Sequence, residues 1–188
     1  MTDPAPPEIE TVESRIVYRN KWMVVREDII RRRDGSPGLY GVVEKSDFVV
    51  IIPVEADGSV HLVEQYRYPI GRRFWEFPQG AWEERPDADK EAIARGELRE
   101  ETGLIAGRMI YVGHLLHNYG FARHGCHCFI ARDLEFTSLE ISQEEQGLVT
   151  RRFAFATALD MVRNGDIQDA TTVSALALAH VKGLLDIT

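Results

Sequence analysis

A mixed α/β fold is the class this sequence predicts, on three observations. Phe48–Val54 is a continuous apolar run, as in a strand buried on both faces. Val60–Tyr66 alternates in polarity and follows the tight turn Ala56-Asp57-Gly58, as a returning strand does. The stretch from Asp89 to Thr102 is rich in Ala, Glu, Arg and Leu, with Gly96 its one interruption, and reads as a helix closed by Gly103 as a left-handed cap. Strands and helices are interleaved, which is the mark of a mixed class rather than of separate α and β domains.

The remaining elements fall around these three. Residues 1–13 begin MTDPAPPEIETV, Pro-rich and acidic, and are expected as a flexible tail. Residues 14–45 hold β-prone stretches split by Asn20 and by the turn Asp34-Gly35-Ser36-Pro37-Gly38. They read as an antiparallel unit too small for a core of its own, so it must lean on the rest of the chain or on a second subunit. Gly71–Gly80 is expected as loop or short strand. Strands are predicted at Met109–Leu116, His124–Ala131 and Val149–Phe155, with an acidic loop around Glu140–Gln146 before the last. Helices over Ala156–Asn164 and Thr171–Leu185, separated by Gly165-Asp166, finish the chain. Residues 46–188 form the main domain.

Composition narrows the function. The chain has 188 residues, a net charge of −8 and a pI near 5.3, against the basic face that a nucleic-acid or anionic-membrane binder needs. The longest apolar run is far short of a bilayer span, and no secretory signal opens the sequence. Two cysteines, Cys126 and Cys128, make no disulfide framework and suit a reducing cytoplasm.

The sharpest chemical feature is Glu97-Leu98-Arg99-Glu100-Glu101-Thr102-Gly103. On a helix Glu97, Glu100 and Glu101 share one face, and like charges at these spacings destabilise it by about 0.2–0.5 kcal/mol per pair. A hard divalent cation such as Mg²⁺ removes that repulsion and wants oxygen donors alone; the competing reading is a solvated acidic face. Phe74-Trp75-Glu76-Phe77-Pro78-Gln79-Gly80, an acidic loop and this helix together resemble the Nudix box of nucleoside-diphosphate hydrolases, G-x5-E-x7-R-E-U-x-E-E-x-G-U with U aliphatic. Glu97, Glu100 and Glu101 take the three helix glutamates, Leu98 and Leu104 the aliphatic positions, Gly103 and Gly80 the glycines.

Two departures stand out. The spacing from Gly80 to Glu97 is 97 − 80 = 17, two residues longer than the family's. This leaves Glu83, Glu84, Asp87 and Asp89 as alternatives for the loop glutamate. Gly96 stands where the family has arginine, and the sequence offers no physical reason for it.

The flanks Asp47–Pro53, Val63–Pro69, Trp75–Pro78 and Val162–Thr172 are similar to ADP-ribose pyrophosphatases. The resemblance implies a Nudix α/β/α sandwich with a mixed sheet, and an N-terminal β unit exchanged across a homodimer. It also implies Mg²⁺- or Mn²⁺-dependent hydrolysis of ADP-ribose or a related nucleoside-diphosphate sugar to a nucleoside monophosphate and a sugar phosphate. Glu97 and Glu101 become metal ligands, Glu100 a ligand or supporting carboxylate, and the Gln79 backbone carbonyl an extra ligand. Glu144 or Glu145 becomes the general base, Glu144 favoured by register. Arg67 is expected on a phosphate, with Trp75 or Glu76 on the base or ribose; the competing readings are stem packing and a strand-end salt bridge. The alternatives are hydrolysis of nucleoside triphosphates or dinucleoside polyphosphates, and a non-catalytic nucleotide-binding module.

His124, Cys126 and Cys128 would share a strand face, with His114 and His117 near in sequence. A lone C-x-C lacks the usual zinc spacing, however, and reads as small buried hydrophobes.

Overall fold

The computed structural model describes residues 7–82, 85, 87–138 and 147–186. The elements run β1 (Ile9–Arg19), β2 (Val24–Arg32), β3 (Pro37–Glu44), β4 (Phe48–Pro53), β5 (Val60–Arg67), β6 (Arg72–Glu76), β7 (Gln79–Gly80) and α1 (Lys90–Thr102). They continue with β8 (Leu104–Leu116), β9 (Ala122–Arg123), β10 (Gly125–Phe136), β11 (Val149–Phe153), α2 (Phe155–Asn164) and α3 (Ala170–Val181). Two compact units result: the residues through Ser46 with Leu116–Gly125, and Asp47–Leu115 with the residues from Cys126 onward.

The first unit is a sheet in the order β1-β2-β3-β9, antiparallel except for the parallel β3–β9 pair. Asn20 Oδ1 accepts hydrogen bonds from Trp22 N–H and Met23 N–H at 2.9 and 2.8 Å, which turns β1 into β2. Asp34 caps the next turn in the same way, its Oδ1 accepting from Ser36 N–H at 2.9 Å. Ile9–Glu13, expected in the tail, belong to β1 instead. Their backbone pairs with Ile29–Arg32 of β2, so ladder hydrogen bonds rather than apolar burial order them.

The second unit holds two sheets, β7-β4-β10-β8 and the antiparallel β11-β5-β6. At its centre β4 runs parallel to β10 and antiparallel to β7. Strand alternation then separates two cores. Val49 and Ile51 of β4 pack with Ile93, Ala94 and Leu98 of α1. Val50 and Ile52 pack on the opposite face with Ala158 of α2 and Ala175, Leu176 and Ala179 of α3. This is the α/β/α sandwich, with a strand buried on both faces because each face is covered by a helix.

Helix α1 is capped by Asp89, whose side chain accepts from Ala92 N–H at 2.9 Å, and by Gly103, φ 72°. Helix α3 stops at Val181, short of the expected Leu185. Gly183 turns left-handed at φ 67°, its N–H bonding His180 O at 2.8 Å while Leu184 N–H bonds Ala179 O at 3.0 Å. That is a Schellman end, which a sequence reading passes over when apolar residues continue beyond the glycine.

Candidate active site

Glu97 and Glu101 are 6% and 3% exposed, on the face of α1 that meets the two-residue strand β7. Gln79 N–H donates to Glu101 Oε2 at 3.1 Å. The neighbouring Gly80 faces the Glu97 carboxylate so closely that a Cβ there would collide with its carbon and both oxygens. Two carboxylates one turn apart therefore converge on two adjacent backbone positions, and Glu100, half-buried, lies on the same side of the helix. Buried like charges are costly without a compensating cation. Oxygen is the only donor these residues offer, the chemistry a hard ion such as Mg²⁺ accepts. The cradle without a side chain at Gly80 is the opening such a site needs, so the residues present fit a divalent cation.

A partly buried polar chain that the sequence reading missed holds β7 in place. Asp169, the N-cap of α3, accepts from Thr171 N–H, Thr172 N–H and the Thr172 hydroxyl at 3.3, 2.8 and 2.8 Å. Its Oδ2 also accepts from the Gln79 side-chain amide at 3.2 Å, while Thr172 Oγ1 accepts from Phe77 N–H at 2.9 Å. The N-terminus of α3 thus fixes the strand that carries Gln79. Asp-Ala-Thr-Thr is an ordinary N-cap signature in sequence; only the fold shows that its acceptors reach residues 77 and 79. Asp169→Ala is expected to cost about 1 kcal/mol of stability through the lost cap and roughly tenfold in Mg²⁺ affinity through β7. Asp169→Asn, itself a good cap, should restore the stability. Thermal unfolding and the Mg²⁺ dependence of the rate check both.

Gly96 acquires a reason. A Cβ there would run into Cζ2 of the Trp82 indole, over which the Arg85 guanidinium lies at 4.2 Å. The ring occupies the space that a side chain at position 96 would leave through, and packs at the edge of the α1 core. The cost of about 1 kcal/mol for a glycine inside a helix is offset by covering this aromatic. Of the candidates for the loop glutamate, Asp89 is the helix cap and Asp87 is exposed, while Glu83 and Glu84 lie outside the described residues.

Arg67 and Glu76 face one another as a fork, Nη2 to Oε1 at 2.5 Å and Nε to Oε2 at 3.2 Å. Glu76 is 2% exposed, and burial pushes its carboxyl above the ordinary glutamate range, with Arg67 opposing that shift. Trp75 packs edge-on against Phe153 at 5.0 Å, with the Arg151 guanidinium 5.5 Å from its ring. The salt bridge and the packing are thus both present, and any contact with substrate comes in addition. Glu144 and Glu145 lie outside the described residues; just after them, Gly147 O accepts from Arg73 Nη2 at 2.6 Å.

Cys126 and Cys128 are fully buried in the α2–α3 core, their sulfurs 3.7 Å apart, as small hydrophobes would be.

Comparison with known proteins places this geometry. Residues 45–170 match the NUDIX domain model, and residues 9–43 match the nucleoside diphosphate sugar hydrolase N-terminal domain. An ADP-ribose pyrophosphatase of Mycobacterium tuberculosis is 28% identical over 177 residues, 94% of this chain and 85% of the relative. One of Bacillus subtilis is 24% identical over 179 residues, 95% of this chain and 96% of the relative. A solved ADP compounds hydrolase shares the fold at a TM-score of 0.81 and 22% identity, covering 97% of this chain and all of its own. With the paired glutamates of α1 held against β7 and the domain model matched across both, the chain belongs to the NUDIX family.

Proposed function

We propose that this protein is a Mg²⁺-dependent hydrolase of ADP-ribose or a related nucleoside-diphosphate sugar, giving a nucleoside monophosphate and a sugar phosphate. The observation that carries the reading is the convergence of the buried Glu97 and Glu101 carboxylates on Gln79 and Gly80. Full-length similarity to ADP-ribose pyrophosphatases supports the substrate class. Glu97, Glu100, Glu101 and the Gln79 carbonyl would hold Mg²⁺, with Mn²⁺ able to take its place. Bound there, it would neutralise charge on the diphosphate oxygens and lower the pKa of a water. Glu144, with Glu145 as the alternative, takes a proton from the attacking water. The new P–O bond replaces the bond from phosphorus to the bridging oxygen, which leaves with the second phosphate. In this reading Arg67, paired with Glu76, meets a phosphate oxygen, and Trp75 or Glu76 the base or ribose.

Product analysis by chromatography, with Mg²⁺ and ADP-ribose, ADP-glucose, GDP-mannose, dinucleotides and nucleoside triphosphates, tests this directly. AMP or GMP with a sugar phosphate is the expected result. Pyrophosphate released from triphosphates would move the substrate class, and nucleotide binding without turnover would make the chain a binding module.

The protein is further proposed to act as a cytoplasmic homodimer, with the first unit exchanged between subunits. Cys126 and Cys128, neither in a disulfide, suit a reducing compartment. Strand β1 is exposed along its whole length, with Ile16 at 55% and Tyr18 at 54%, and β3 exposes Leu39 at 62%. An edge strand bearing that apolar surface calls for a partner. Light scattering on the eluting peak should give twice the chain mass; a monomer at micromolar concentration would overturn the exchange.

A further inference from the structure

A second group of metal-ligating side chains lies apart from the glutamates, on three neighbouring strands of the central sheet. Asp47 immediately precedes β4, His127 sits on β10 in register with Val49, and His114 is on β8. His114 Nε2 is 3.0 Å and His127 Nε2 3.6 Å from the same oxygen, Asp47 Oδ2. One ligand atom from each residue lies within 4.8 Å of the other two. Tetrahedral zinc, with bonds of about 2.0–2.2 Å, sets its ligands about 3.3–3.5 Å apart, so small side-chain rotations would close this set around an ion.

Two further features match a ligating imidazole. The rings of His114 and His127 stack at 4.5 Å, which puts both Nε2 atoms on the carboxylate side. The other nitrogen of His127, Nδ1, is 3.2 Å from the Tyr111 hydroxyl, an outer contact that with Nδ1–H donating leaves the Nε2 lone pair for an ion. The three residues are about a fifth to a third exposed, leaving room for a water as fourth ligand.

From this geometry we infer that Asp47, His114 and His127 form a binding site for a first-row transition cation of the zinc class. Two imidazoles and one carboxylate are a borderline donor set, which selects against Mg²⁺ and so separates this site chemically from the all-oxygen cluster on α1. Position separates them too. His127 and Gly80, the residue that faces Glu97, lie two strands apart across Val49 of β4, about 10 Å. The C-x-C pair is not part of the site. Cys126 and Cys128 flank His127 and face the opposite core, so the ligand of this segment is the residue between them.

The test is calorimetric titration of the full-length protein with Zn²⁺ under a large excess of Mg²⁺, repeated on His127→Ala and His114→Ala. The expected result is one Zn²⁺ per chain in the wild type, at least tenfold weaker in each variant, with unchanged circular dichroism. Loading with Co²⁺ should give a visible spectrum without an intense thiolate-to-cobalt band. Equal Zn²⁺ affinity in His127→Ala, a thiolate band, or loss of the binding in Glu97→Gln instead would each overturn the assignment. None of these readouts depends on which nucleotide is hydrolysed.

Discussion

Replacing Glu101 by glutamine is expected to lower kcat/KM at least a hundredfold, about 2.7 kcal/mol of transition-state stabilisation. Glutamine keeps an oxygen to accept the Gln79 N–H bond, so the link between α1 and β7 survives. What disappears is the negative charge that holds the cation. Stability should move the other way: Glu101 is 3% exposed and one turn from Glu97, so removing its charge relieves a buried repulsion. In the presence of a chelator the variant should therefore unfold at the same temperature as wild type or higher. Rate measurements across a Mg²⁺ series and thermal unfolding in chelator read both arms. Turnover close to wild type would remove Glu101 from the metal site and, with it, the proposed mechanism.

The readable parts of the sequence were those where one local rule acts alone. Helix α1 was expected from Asp89 and starts at Lys90 with Asp89 as its cap, because capping and the αL glycine are decided within a few residues. Phe48–Val54 read as doubly buried because a strand covered by helices on both faces has no polar side to alternate. Misses came where distant segments meet. Strand β9 is two residues long and pairs with β3 some eighty residues earlier, leaving no periodicity to detect. Ile9–Glu13 looked too polar for a strand, yet pairing with β2 needs only backbone groups. The reason for Gly96 is Trp82, which only the fold sets against it. The glutamates were legible because their repulsion is written into a single helix. The Asp169–Thr172 support of β7 was not, since its acceptors reach residues ninety or more positions away.

Gly80→Ala is the variant whose effect follows most directly from that hidden geometry. The three atoms nearest to an added Cβ all belong to the Glu97 carboxylate. Gly80 is not one of the left-handed glycines, so alanine meets no backbone strain there. The part that must give way is the end of a flexible side chain, which moves at little cost in stability, but that end is the proposed metal ligand. A displacement of about 1 Å at such a centre is worth roughly a hundredfold in rate. Gly80→Ala should thus lose on the order of a hundredfold in kcat/KM and need more Mg²⁺, while its unfolding temperature stays close to wild type. The double variant Gly80→Ala/Glu97→Gln discriminates this route from general damage. If alanine acts by moving Glu97, removing the Glu97 charge leaves it little more to do, and the double variant should be no slower than Glu97→Gln alone. Additive losses would mean that Gly80 serves the reaction by a contact of its own backbone with the substrate.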